Sequence, residues 1–169
     1  MSDKIFESDD DLGCTHKDRK YRKDVHAWWV DIHPEPVTCR TIVALVGEEM
    51  LYLPVPTDLR YESGEPYSVF MVFNADADMT VEWEFGRELL LAGEQRLSGV
   101  GDVQVWPSEI LDCGLVYISF RSGQERFVVA ASAEAIGVFL ERTFEVVPLG
   151  REESFLGIES VVTQLLNEA

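Results

Sequence analysis

The chain has 169 residues, 46% of them hydrophobic, enough for one domain with a sizeable core, and no apolar run approaches the roughly 20 residues of a membrane span. Its 31 acidic residues against 14 basic ones leave a formal net charge of −17, which argues against nucleic acid and anionic membranes as main partners, since both reward cations. The acidic, polar start Met1–Asp11 makes no secretory signal, so a cytoplasmic protein is expected; three cysteines without paired spacing, Cys14, Cys39 and Cys113, point to reduced thiols rather than a disulfide framework.

Residues 1–37 read as an N-terminal extension, expected to be partly mobile, and 38–169 as the domain. Met1–Pro36 holds nine acidic and six basic residues and every lysine of the chain; the remainder holds 22 acidic residues and eight basic ones, all arginine. The extension has few apolar side chains to bury, and His33-Pro-Glu-Pro36 reads as a stiff linker. Within it, Trp28 and Trp29 need cover. They either pack back onto the domain or serve as a partner contact, because tryptophan is enriched among binding hot spots. The run Lys17–Lys23 reads as a solvated basic stretch, with contact to phosphate or an acidic partner as the alternative.

From Val37 the pattern is β. Thr38–Gly47 is a first strand with apolar residues on both faces, expected to be covered on both sides. In the second, Met50–Tyr61, Pro54 and Pro56 cannot donate to a ladder, so the strand is expected at an edge, bulged or broken. Ser63-Gly-Glu-Pro66 is a turn. Tyr67, Val69, Met71 and Phe73 line one face of a third strand, which a polar loop joins to a fourth in hairpin fashion. There Val81, Trp83 and Phe85 alternate with Glu82 and Glu84: one face is apolar, the other wet. Gly86 ends the alternation. Arg87–Ala92 is rich in helix formers, and Gly93 is read as a left-handed stop.

Gly99–Trp106, Leu115–Arg121 and Arg126–Ala131 form a three-strand meander. Ser132 is a helix N-cap with Glu134 at the positive end of the dipole. Ile136, Phe139, Leu140 and Phe144 make the stripe that follows, and Pro148 and Gly150 close it. A last helix is expected from Ile158, Val161, Val162, Leu165 and Leu166, a narrow apolar face that packs on the sheet or across a subunit interface. Strands linked by short turns and interrupted by helices indicate an α+β class with mostly antiparallel sheets.

Catalytic signatures are missing. Cys14, His16, His26, His33 and Cys39 lack metal-site spacing, and no CxxC or HExxH occurs. Asn74, Asp76 and Asp78 lack the rest of a calcium loop and read as a polar hairpin loop. All three histidines lie in the extension, which leaves the domain without a Ser/His/Asp or Cys/His set, and Gly99-Val-Gly-Asp102 is a turn rather than a phosphate loop. Pairs such as Glu82 and Glu84 are expected on a solvated face. No catalytic, metal or cofactor residue is assigned.

Five blocks carry a resemblance: Leu59–Tyr67 (LRYESGEPY), Val81–Gly93 (VEWEFGRELLLAG), Ser98–Ser108 (SGVGDVQVWPS), Phe139–Thr143 (FLERT) and Val147–Glu153 (VPLGREE). In this order and spacing they resemble the SsgA-like (SsgA/SsgB) sporulation and cell-division proteins of actinomycetes, over roughly Thr38–Ala169; Met1–Pro36 lies outside the resemblance. The resemblance implies two mostly antiparallel sheets backed by helices, Whirly-like, assembled as a trimer. It also implies a non-enzymatic, cofactor-free role at division septa, helping to localise the tubulin-like protein FtsZ or to regulate wall remodelling alongside other SsgA-like proteins. It does not bring nucleic-acid binding with the fold. Trp83, Arg87 and Glu88 fall in its blocks and are expected to set the fold or subunit contacts. Two alternatives differ in class: a single-stranded nucleic-acid binder using the sheet face, and a hydrolase built on a carboxylate pair.

Overall fold

Alternation of apolar and polar residues sets seven strands, and the two short stretches that break it form helices. The computed structural model describes residues 34–47, 52–110 and 114–156. In chain order the elements are β1 (Val37–Val46), β2 (Tyr52–Tyr61), β3 (Ser68–Phe73), β4 (Val81–Gly86), α1 (Arg87–Gly93), β5 (Val103–Pro107), β6 (Leu115–Ser122), β7 (Glu125–Ser132) and α2 (Ala133–Val146), followed by a 3-10 turn, Glu152–Phe155. The extension with Trp28 and Trp29, and the expected last helix, lie outside the described residues.

The strands form one sheet in the order β4-β3-β2-β1-β7-β6-β5, and every pairing is antiparallel. This corrects the expectation of two sheets. The hairpin of β3 with β4 and the three-strand meander are present as expected, β1 and β2 extend the hairpin to four strands, and the end of β1 reaches β7 and pairs Ala44, Leu45 and Val46 with Ala130, Val129 and Val128. That seam is three residue pairs long, whereas β1 and β2 pair along ten.

The sheet curls. Rings from β3 and β4 meet rings from β6 and β7: Phe73 lies 5.6 Å from Phe120, Trp83 5.1 Å from Phe120, and Phe120 5.1 Å from Phe127. The concave face therefore closes on an aromatic pile, and Val43, Leu59, Met71, Val105, Ile118 and Val129 are buried on the same face. Both helices pack into this concavity, α1 against β4 and β5 at the two free edges, α2 against β1 and β7. In α2 the buried residues are Ile136, Phe139, Leu140 and Thr143, the i, i+3, i+4, i+7 face of a helix, and Ser132 Oγ accepts from the Ala135 N–H as the cap.

Three further expectations change. Pro54 and Pro56 sit in an unbroken strand inside the sheet, but β3 pairs only with Thr57–Arg60. The first half of β2 is thus an edge by register although the strand is interior by order, which is how two residues without N–H donors are tolerated. The second face of β1 is not covered throughout, since Ile42 is 66% exposed. Cys39 is disulfide-bonded, with its partner outside the described residues. Sequence separation says nothing about which cysteines the fold brings together, so the expectation of reduced thiols fails there.

Candidate functional site

Two constellations of polar side chains stand out: a buried lock around Arg87 on the concave side, and an open groove on the convex, helix-free face. Arg87 begins α1, where its N–H donates to the Tyr67 carbonyl at 2.8 Å. Its guanidinium is buried between the rings of Tyr61 and Phe144, with Cζ 5.0 and 4.9 Å from their centroids. It donates to the Val147 carbonyl at 2.8 Å, to the Thr143 carbonyl at 3.3 Å and to Glu152 Oε1 at 2.5 Å. Arg87 therefore ties the β4–α1 junction to the end of α2 and the 3-10 turn beyond it.

Burial alone would raise the Glu152 carboxyl; hydrogen bonds from its own backbone N–H and from Arg87, with the Arg87 charge, outweigh this and hold it below its usual value. Burial pushes the Tyr61 phenol up to about 12, Arg87 opposing. A charge so fully enclosed has no route to a substrate; it is a fastening.

The other two residues of that expected set sit differently. Trp83 is half-buried in the aromatic pile, and Glu88 is exposed in the first turn of α1. Glu82 and Glu84 lie on the convex face, Glu82 paired with Arg60 and Glu84 accepting from Ser68 Oγ.

The convex face of the three-strand half carries a groove of about 610 Å³ lined by Arg96, Leu97, Gln104, Trp106, Glu109 and Arg126, with Pro107 and Val128 in its wall. On β5 the alternation that buries Val105 turns Gln104 and Trp106 outward. Trp106 stacks on its cross-strand neighbour Tyr117 at 5.8 Å and 17°. After α1 the chain runs along the free edge of β5: Ser98 and Val105 exchange backbone hydrogen bonds of 2.8 and 2.9 Å. That clip sets Arg96 and Leu97 on the rim. From β7, Arg126 donates to Gln104 Oε1 at 2.5 Å and to Ser119 Oγ at 3.0 Å.

The sequence marks Ser98–Ser108 as a turn, a strand and a block of the resemblance, but not as the wall of a groove. The signal was there in part: Gln104 and Trp106 are the outward residues of a strand whose inward ones are valines. Its chemistry is that of recognition, with two guanidinium groups, an indole and an exposed leucine. No histidine lies among the described residues, and no group of three or more His, Cys, Asp or Glu among them is placed to hold a metal ion. No helix among them is long and apolar enough to cross a membrane.

A family model described as "Streptomyces sporulation and cell division protein, SsgA" matches residues 55–152. The chain is 38% identical to the sporulation-specific cell division protein SsgB of Streptomyces coelicolor over 79% of this chain and 97% of that protein. The chain belongs to the SsgA family. The SsgB of Salinispora tropica is 34% identical over 80% of this chain and 96% of that one.

Among solved structures, the SsgB described with mutations that correlate to longitudinal cell division during sporulation of S. coelicolor superposes with a TM-score of 0.69 at 38% identity, covering 75% of this chain and 99% of that one. The crystal structure of an SsgA-like sporulation-specific cell division protein from Thermobifida fusca gives 0.70 at 32% identity, covering 77% and 95%. Both Arg87 and Glu152 of the lock, and all eight residues lining the groove, fall within the span matched to the SsgA family.

Proposed function

We propose that this protein is a non-enzymatic adaptor of sporulation-linked cell division. The observation that carries this reading is its 38% identity to a sporulation-specific cell division protein over 97% of that protein's length. The chemistry of the described residues agrees: their most enclosed ionic group is a structural fastening, and their open groove is equipped to hold a partner rather than to transform one. The adaptor works in the cytoplasm, recruited to division septa without entering the membrane. It helps to localise or regulate FtsZ or wall remodelling, together with other SsgA-like proteins. It assembles with copies of itself, as a trimer. Trp28 and Trp29 are proposed as a partner contact, and the exposed Glu88 as a subunit contact, while Trp83 and Arg87 hold the fold.

The test is co-sedimentation of the full chain with FtsZ polymers, beside sedimentation equilibrium of the protein alone. Retention in the pellet only when FtsZ is polymerised, and a mass three times that of the chain, are the expected results. A protein that stays in the supernatant with FtsZ and with other SsgA-like proteins alike would remove the adaptor reading; a monomeric mass would remove the trimer. A net charge of −17 sets the single-stranded nucleic-acid alternative at a disadvantage.

A further inference from the structure

Resting on the adaptor role proposed above, we infer that the groove across β5, β6 and β7 is the partner-docking surface, and that its occupant is an acidic segment of a partner protein in which carboxylates flank large apolar side chains. Between residues 34 and 156 there are eight arginines. Five hold a carboxylate: Arg40 with Asp58 and Asp76, Arg60 with Glu62 and Glu82, Arg87 with Glu152, Arg121 with Asp102, Arg142 with Glu145. Arg96, Arg126 and Arg151 hold none among the described residues, and two of those three line this one groove. In a chain with 31 acidic residues, cations left without carboxylates are the unusual case.

Arg126 is fixed rather than loose. Its bonds go to the neutral groups of Gln104 and Ser119, so it is oriented while no carboxylate among the described residues compensates its charge. A carboxylate from outside would complete it with a charge-assisted hydrogen bond, about twice as strong as a neutral one. Glu109 also lines the groove and pairs with neither arginine, which favours an occupant whose carboxylates lie toward Arg96 and Arg126.

The apolar half of the recognition comes from Trp106 and from Leu97, which is 66% exposed. A rigid indole stacked against Tyr117 presents its free surface at little entropic cost. Among the described residues the other half of the convex face offers no equivalent, since Arg40 and Arg60 are already paired with carboxylates there.

The probe is a fluorescein-labelled dodecapeptide with Leu and Phe alternating with Glu in a Gly-Ser frame, titrated against the full chain by fluorescence anisotropy. A peptide with Lys in place of Glu and a labelled oligothymidine run in parallel. The expected result is saturable binding of the Glu peptide that weakens with added NaCl, no binding of the Lys peptide, and at least about tenfold weaker binding by R96E and by R96E/R126E. R142E, on α2, binds as the unaltered protein does.

Because Arg126 is bonded to neighbours, its loss disturbs folding as well; the Arg96 side chain makes no bond to any described residue, so R96E alone decides. Absence of Glu-peptide binding, equal binding of the Lys peptide, indifference to R96E, or capture of oligothymidine through these arginines in place of the peptide overturns the assignment. FtsZ co-sedimentation of the unaltered chain separates the two readings: retention on FtsZ polymers without peptide binding discards the groove and leaves the adaptor role standing.

Discussion

Arg87 shows what one residue can cost and hold. Its guanidinium donates to two carbonyls and a carboxylate from inside the core. Replacing it leaves Glu152 buried and unpaired, so R87M should lower unfolding stability by about 3–5 kcal/mol in urea. E152Q should cost less, because an amide still accepts from Arg87, and the two losses should fall short of additive in the double variant. A full sum would mean that the two side chains do not act as a pair.

The same residues set a pH dependence. The Glu152 carboxyl is held below its ordinary value, so in the acid range the unfolded chain binds a proton more readily than the folded one. Its contribution to stability is complete above the ordinary carboxylate range and is lost as pH falls toward the folded-state value. Glu94 runs the other way: burial and then the neighbouring Glu141 raise it, so its contribution is lost as pH rises through that raised value. E152Q should therefore flatten the acid limb of a stability–pH profile, whereas E141Q should raise stability on the neutral side. Urea midpoints between pH 3 and 8 check both, and an unchanged acid limb in E152Q would contradict the assignment.

At the scale of the element, α1 illustrates both what the sequence reveals and what it hides. The strand-to-helix handover at Gly86 is legible, since period-two alternation stops there and helix formers begin. The role of Gly93 is not. It lies inside the helix, without a left-handed conformation; among the described residues that belongs to Asn74, Gly99, Gly114, Gly123 and Gly150. Gly93 is required for contact: a Cβ there would lie 2.2 Å from Val105 Cγ1 on a strand ten residues further on. A close approach between elements has no local signature, which is also why the curl of the sheet, the β1–β7 seam and the groove were invisible, while strand order within each hairpin series was not.

Pro54 and Pro56 show the same limit. Their missing N–H donors left an edge, a bulge or a break open, and which of these applies, here an edge of register in an unbroken strand, depends on where β3 stops. G93A should thus destabilise by about 1–3 kcal/mol through overpacking. Shaving the facing residue should restore part of it, so that G93A/V105A loses less than the sum of its single changes. Thermal unfolding of the three variants checks this, and strict additivity would place the strain elsewhere.

At the scale of the molecule, the question is what makes two halves of a sheet behave as one body. The hydrogen-bonded seam is short, only Ala44–Val46 against Val128–Ala130. The aromatic pile spans the halves more broadly: Phe120 of β6 touches Phe127 on its own side and Phe73, Trp83 and Phe85 across the fold, all within 5.9 Å between centroids. Phe120 is fully buried, so F120A should cost about 3–5 kcal/mol, lost packing plus the cavity left behind.

The manner of the loss matters more than its size. If the pile is the true joint, tryptophan fluorescence and far-UV circular dichroism should report one shared urea transition in the unaltered chain. In F120A the two should part once Trp28, Trp29 and Trp106 are replaced by Phe, because Trp83, then the sole tryptophan, sits in the pile itself while much of the dichroism comes from strands and from α2, which packs at the seam. Coincident transitions in F120A, displaced together, would instead assign the coupling to the three-pair seam and to the helices that fill the concavity on either side of it.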